Sequence, residues 1–127
     1  MSGNKRAILD SNVIIEASKK MIDVKSTFSP YPQLFISVVT YVEVIGFDFK
    51  NTEEKDFILT ILSKFPIIDI NKDVADIAVE YRKKKKIKLP DAFILATASY
   101  LEADLITNNV NDFKDLDDNV SIILPTR

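Results

Sequence analysis

A chain of 127 residues, 46% hydrophobic and 28% charged, has the size and composition of an ordinary globular domain, expected to be one unit over residues 1–127. Its 17 basic and 19 acidic side chains leave a net charge of −2, so no global basic field announces nucleic-acid binding, which would have to rest on local patches. With no cysteine and no histidine, disulfides, thiol nucleophiles, Ser-His-Asp catalysis and Cys- or His-ligated metals are excluded, and two glycines are too few for a phosphate-binding glycine loop. Any catalysis therefore falls to carboxylates, lysines, hydroxyls and hard metal ions.

No apolar run approaches the roughly 18 residues that span a bilayer, so no membrane association is expected. The opening Met-Ser-Gly-Asn-Lys-Arg leads into a short apolar strand and not a signal-peptide core, which predicts a cytoplasmic protein.

In chain order, Arg6 to Asp10 reads as a short, fully buried strand ending in an acid, and Ser11-Asn12 starts a helix through Val13, Ile14, Ile15 and Ala17. Met21 to Gln33, with Pro30 and Pro32, reads as an irregular connection. A second strand runs from Leu34 to Ser37, where Ser37 caps a helix through Val42 to Ile45 that ends near Gly46. Thr52 to Phe65 has the apolar spacing of an amphipathic helix, and Pro66 to Ile70 reads as a third strand. Asn71 caps a helix carried by Val74, Ile77, Ala78 and Tyr81, which runs out in Arg82 to Lys86.

Pro90 then suits the first turn of another helix, where its missing N–H costs nothing. Asp91 stands at the positive end of that helix, and Ala92 to Ala98 leave it almost no polar face, so the helix should be buried. A fourth strand at Asp104 to Thr107, an Asn-rich loop and a last strand at Val120 to Leu124 complete the pattern. Short apolar strands alternating with helices predict an α/β three-layer sandwich: a central, short-stranded parallel sheet flanked by helices. Ligands in such folds gather beyond the carboxyl ends of the strands, where the strand order reverses.

Four acids fall at matching places. Asp10 closes strand one, Glu43 lies early in the helix after strand two, Asp91 opens its buried helix, and Asp112 follows strand four. Brought together in a partly desolvated cleft, carboxylates need a counter-charge, and Mg²⁺ or Mn²⁺ suits an all-oxygen environment. Each also has a plainer reading. Asp10 with Ser11 and Asn12 fits a helix cap, Thr40-x-x-Glu43 fits a capping box, Asp91 fits a dipole partner, and Asp112 among asparagines fits a loop residue. The apolar neighbours of Glu43, Val42 and Val44, predict a partly buried acid.

The combination resembles a known family. Ile-Leu-Asp10-Ser-Asn-Val-Ile-Ile, Thr40-x-x-Glu43, Leu89-Pro-Asp91-Ala-x-Ile-Leu-Ala-Thr-Ala and Thr107-Asn-Asn109-Val-Asn-Asp112-Phe113 look like the PIN domain, and more narrowly like VapC-type ribonuclease toxins of type II toxin–antitoxin modules. The resemblance covers essentially the whole chain, with the motifs in order. It implies that Asp10, Glu43, Asp91 and Asp112 form an acidic Mg²⁺-binding quartet, that Thr107 and Asn109 orient those acids, and that Asn12 supports Asp10. It further implies a homodimer, endonucleolytic cutting of RNA, and a cognate antitoxin that blocks the acidic cleft. The segment between Met21 and Leu34 offers no family motif to match.

The mechanism expected is metal-assisted hydrolysis of an RNA phosphodiester, which needs no protein nucleophile. Lys83, Lys84, Lys85, Lys86 and Lys88 form the one dense basic tract, read either as a solvated helix end or as an RNA-contacting patch beside the cleft. Tyr31, Tyr41, Tyr81 and Tyr100 are candidates for stacking on bases, the last two equally for the core or a dimer interface. Two rivals stand beside the nuclease: a catalytically inert interaction module of the same fold, and a phosphoacceptor signalling domain using Asp69 at the end of strand three.

Overall fold

Arg6–Leu9 (β1) is apolar on both faces, and Ala7, Ile8 and Leu9 are wholly buried. Such a segment is satisfied only in the middle of a sheet covered on each side. The computed structural model describes residues 5–127, so the expected run-in over residues 1–4 lies outside the described residues. Within them β1 is the central strand of a five-stranded, all-parallel sheet of order β3-β2-β1-β4-β5. The partners are β2 (Gln33–Ser37), β3 (Ile67–Ile68), β4 (Asp104–Ile106) and β5 (Ile122–Ile123). Ile8 lies opposite Phe35 on one side and Leu105 on the other.

Alternation along the strands divides the apolar side chains between two cores. Ile8 and Leu105 point to the layer holding α5 (Lys72–Lys84) and α6 (Leu89–Tyr100), with Val74, Ala78, Ile94 and Leu95. Ala7, Leu9, Ile36 and Ile106 point to the opposite layer, with Val13 and Ile14 of α1 (Ser11–Ser18), Val44 of α3 (Val38–Ile45), and Ile58 and Leu62 of α4 (Thr52–Leu62). This is the expected three-layer sandwich. As expected too, α6 is buried along nearly its whole length, Ala92 and Ile94 to Ala98 being inaccessible, with Pro90 in its first turn.

Several boundaries differ from expectation. The connection read as irregular contains a short helix, α2 (Val24–Phe28), capped by Asp23, whose carboxylate accepts from the Ser26 amide at 3.0 Å. The Asn-rich loop closes into a one-turn helix, α7 (Val110–Phe113), anchored by the buried Phe113. β3 and β5 are the two edges of the sheet and have two residues each, short edge strands being one way proteins limit unpaired edges. α4 ends at Leu62, and Phe65 instead turns back against Phe28, edge to face at 6.2 Å.

Side-chain caps fix the starts of several helices. The expected caps Ser37 and Asn71 accept from the amides of Val39 (3.1 Å) and Val74 (2.9 Å). Thr40 is not a cap: it lies inside α3, fully buried, and its hydroxyl donates to the Leu9 carbonyl at 3.4 Å. Ser37→Ala should therefore lower unfolding free energy by about 1 kcal/mol in a urea titration, the usual worth of a serine cap. A fully wild-type midpoint would show that Thr40 and packing alone hold the start of α3.

Candidate active site

The strand order reverses at β1: the chain runs outward through β2 and β3 on one side and through β4 and β5 on the other. The crevice beyond β1 and β4 is thus the topological switch point, where parallel α/β sheets bind their ligands. Asp10 sits there, 4% exposed, at the end of β1. Its amide donates to the Ile106 carbonyl at 3.0 Å, which ties it to β4. Its carboxylate does two things at once. One oxygen caps α1 by accepting from the Ser11 amide at 2.8 Å, and the other accepts from the buried Thr107 hydroxyl at 2.7 Å. The helix-cap reading of Asp10 is therefore correct and does not exhaust the residue.

Thr107 in turn accepts from the Asn109 amide at 3.0 Å, and the Asp112 amide donates to the Asn109 carbonyl at 3.0 Å. Asp112 lies exposed within α7, one turn from the groups that hold Asp10. Asp91, in the first turn of α6, is half-buried. Glu43 is exposed by area, as is its neighbour Val42, so the expectation of a partly buried acid holds only in that its carboxyl faces the other acids.

Electrostatics tie the four together. Burial pushes the Asp10 carboxyl above the ordinary carboxylate range and the charge of Asp112 adds to this, while hydrogen bonds from Thr107 and Ser11 oppose it. Loss of water and the charge of Asp10 raise Glu43, against a hydrogen bond from the Ser11 hydroxyl. Asp91 is pushed up to about 6, first by desolvation, then by Asp10, Asp112 and Glu43 in turn, with Lys88 opposing. Four carboxyls from four separate elements thus repel one another across one crevice.

Among the described residues no three acidic side chains converge tightly enough to grip an ion as they stand. The donor set nonetheless fits a hard divalent cation: it is all oxygen, strongly anionic, and includes the Asn12 Oδ1, buried with no hydrogen-bond partner. Mg²⁺ in particular retains bound waters, so carboxylates a water's width away can hold it.

The lysine tract divides. Lys85, Lys86 and Lys88 line a groove of about 170 Å³ together with Asp91, Asn111 and Asp112. Lys83 and Lys84 do not line it. Lys83 pairs with Glu80 at 3.4 Å, and Lys84 donates to the Leu116 carbonyl at 3.3 Å. Tyr31 and Tyr81 are buried, with hydroxyls donating to Asp104 (2.8 Å) and Asp117 (2.5 Å), so neither can stack on a base; Tyr41 and Tyr100 are exposed. Asp69 follows the edge strand β3, two strands away from β1, where no phosphoacceptor site can assemble around Asp10.

Two features of the site escape motif reasoning. Ser11 stands beside both acids: its amide bonds Asp10 at 2.8 Å, and its hydroxyl opposes the rise of the Glu43 carboxyl. Glu16, Asn108 and Arg127 form a hydrogen-bonded bracket behind the site. A helical signal points to Glu16, four residues after Asn12 and so on the same face of α1.

The family model of the PIN domain matches residues 7–119, and the chain belongs to that family, whose members are in general nucleases. Within it the likeness is to VapC-type toxins, as the motifs implied. A toxin–antitoxin complex from Klebsiella pneumoniae contains a chain 35% identical to this one, with a TM-score of 0.74 over 90% of this chain and 94% of that one. The fold is shared with VapBC2 from Rickettsia felis bound to a DNA fragment from its promoter (22% identity, TM-score 0.78, 94% and 98% of the two chains). It is shared equally with DNA-bound VapBC from Salmonella typhimurium (19% identity, TM-score 0.76, 94% and 98%). No curated protein matches by sequence. No helix among the described residues is long and apolar enough to cross a membrane.

An acid raised above its unfolded value destabilises the fold when ionised. For Asp91 that penalty is absent below its ordinary 3.8 and fully present above about 6, so with metal chelated its contribution to stability falls as pH rises across that window. Asp91→Asn should remove the penalty. Discounted for the solvent screening of a half-exposed group, the gain at pH 7 is about 1 kcal/mol, a few degrees in melting temperature in EDTA. A melting temperature at or below wild type would mean that the like charges do not burden the fold.

Proposed function

We propose that this chain is a Mg²⁺-dependent endoribonuclease, the toxin of a VapBC-type module, with Mn²⁺ as an alternative ion. The observation that carries the reading is the placement of Asp10, Glu43, Asp91 and Asp112, from four separate elements, around the switch point, a donor set that suits a hard cation. Asp10, Asp91 and Asp112 would hold the ion directly or through water, with Glu43 completing the site. A bound divalent ion neutralises the carboxylates, activates water for attack on the phosphodiester and stabilises the charge that develops on its oxygens.

The chain's own residues do the rest. Thr107 and the Ser11 amide fix the orientation of the Asp10 carboxylate, each bonding one of its two oxygens. The Ser11 amide orients Asp10, and Glu43, the most exposed of the three raised acids, would accept a proton from the attacking water. Asn109 supports the Thr107 hydroxyl through its amide, and the unpartnered, buried Oδ1 of Asn12, two residues after Asp10, would complete its hydrogen bonding at the loaded site. RNA is the substrate that the resemblance implies and the basic groove suits: Lys86 and Lys88, with Lys85, lie where a phosphate backbone could run past Asp91 and Asp112.

The likeness to a chain of a toxin–antitoxin complex supports a cognate antitoxin as partner. Exposed apolar side chains on α5 and α6, among them Val79, Leu89 and Tyr100, support homodimerisation.

Purified protein should cleave generic RNA with Mg²⁺, lose the activity in EDTA, and lose it by at least a hundredfold in Asp91→Asn although that variant folds. Wild-type protein inert with every divalent ion would favour the interaction module, and cleavage that survives in Asp91→Asn would sink the site assignment. Lys86→Glu with Lys88→Glu should flatten the salt dependence of RNA binding by about 0.7 in log–log slope for each phosphate no longer neutralised. An unchanged slope removes these lysines from the RNA path.

A further inference from the structure

Asp112 is the one acid of the four that no rigid strand or long helix holds; it rides on the segment after β4 and the single turn of α7. Besides the buried Phe113 and the bond from the Thr107 amide to the Ile123 carbonyl, side-chain bonds on its far side hold that segment. The Asn108 amide group is used at both ends: its Nδ2 donates to Glu16 Oε1 at 2.7 Å, and its Oδ1 accepts from the Arg127 guanidinium at 2.7 Å. Arg127 closes the ring by donating its other nitrogen to the same Glu16 oxygen at 2.8 Å. Neighbouring bonds hold the strand of chain that brings Arg127 there: the Asp23 amide donates to the Thr126 carbonyl at 2.6 Å, and the Thr126 amide to the Thr27 hydroxyl at 2.9 Å. Three parts of the chain, α1, the segment after β4 and the stretch beyond β5, meet on one amide.

We propose that Glu16 and Arg127 are positioning residues that clamp Asn108 and thereby hold Thr107 to Asp112 in the geometry that presents Asp112 to Asp10 and Asp91. The inference rests on the reading of those acids as the metal-binding set. The route is short and continuous. Asn108 lies between Thr107, which is bonded to Asp10, and Asn109, whose amide returns to Thr107 and whose carbonyl takes the Asp112 amide. Freeing the Asn108 amide releases the one side-chain anchor in this run that does not itself face the site.

The clamp is not there for stability. Its ion pair is half open to solvent, with Arg127 55% and Glu16 21% exposed, and pairs screened in this way contribute little. Its value is that a guanidinium that only donates and a carboxylate that only accepts together allow the amide between them only one orientation. Side chains that orient ligands from behind are worth about tenfold or more in metal affinity.

The test uses the full chain and two measurements: Mn²⁺ binding, followed by the EPR signal of the free ion, and amide hydrogen exchange with metal chelated. Glu16→Ala and Asn108→Ala should bind Mn²⁺ about tenfold more weakly than wild type and together little worse than either alone. Glu16→Gln, which keeps an acceptor for Asn108, should recover most of the affinity. In the alanine variants the amides of Asn109 and Asp112 should exchange about tenfold faster while those of Ile8 and Leu105 keep their protection. Wild-type Mn²⁺ affinity with wild-type exchange at Asn109 and Asp112 would overturn the proposal, and so would faster exchange throughout the sheet, which marks general destabilisation. Wild-type protein that binds no Mn²⁺ would overturn the metal-site reading, and the exchange data would then decide the clamp by themselves.

Discussion

The hydrogen bond from Thr107 to Asp10 joins the two strands on either side of the switch point at the place where they part. A buried carboxylate in an apolar sandwich is costly unless its lone pairs are met. Here the Ser11 amide meets one oxygen and the Thr107 hydroxyl the other, so the cap of α1 and the end of β4 depend on the same side chain. Structure and chemistry are not separable at this residue. The bond that makes burial tolerable also decides which face of the carboxylate stays available to the crevice.

Around that bond the fold concentrates like charge. Asp91 is carried by the most deeply buried helix of the molecule, and Asp10 by its central strand; both are mounts that cannot swing away to relieve repulsion. Asp112 and Glu43 are exposed and freer, and a metal-free crevice can relax by moving them. The arrangement has two rigid acids at the back and two adjustable ones at the mouth. It suits an ion that keeps some of its waters and demands near-octahedral geometry from the rest.

Much of this is legible in the sequence, because two signals there are strong. Short runs such as Ala-Ile-Leu, apolar on both faces, leave a covered parallel sheet as their one comfortable home, and an acid directly after each run must then lie at the carboxyl edge. The caps Ser37 and Asn71 are legible for a similar reason, being local chemistry with one partner three residues or fewer away. Less visible are boundaries that depend on tertiary packing. α1 and α6 stop with Lys20 and Glu102 in the left-handed region, φ 58° and 53°, where glycine would normally mark the stop. α7 exists because Phe113 finds a pocket, and Glu43 is exposed because α3 turns Val42 and Glu43 outward together, which alternating hydrophobicity could not reveal in so short a helix. The bracket of Glu16, Asn108 and Arg127 joins residues up to 111 positions apart, with no motif to link them.

The net charge of −2 hides the feature that most concerns a polyanionic ligand. Four acids in one crevice should repel a phosphate backbone, and a chain acidic overall would not draw one in from a distance. The lysines resolve this by position, not by number. Lys86 and Lys88 stand on the turn that leads into α6, so the residue that delivers the carboxylate and those that offset it share one rigid support, and Lys88 already lowers the charge burden on Asp91. Lys83 and Lys84, a turn or so earlier, are engaged elsewhere, which confines positive charge to the stretch bordering the crevice. A basic rim beside an acidic floor admits a phosphodiester only where a cation lies between floor and phosphate. Under the proposed function, charge alone would make substrate binding and metal loading mutually dependent.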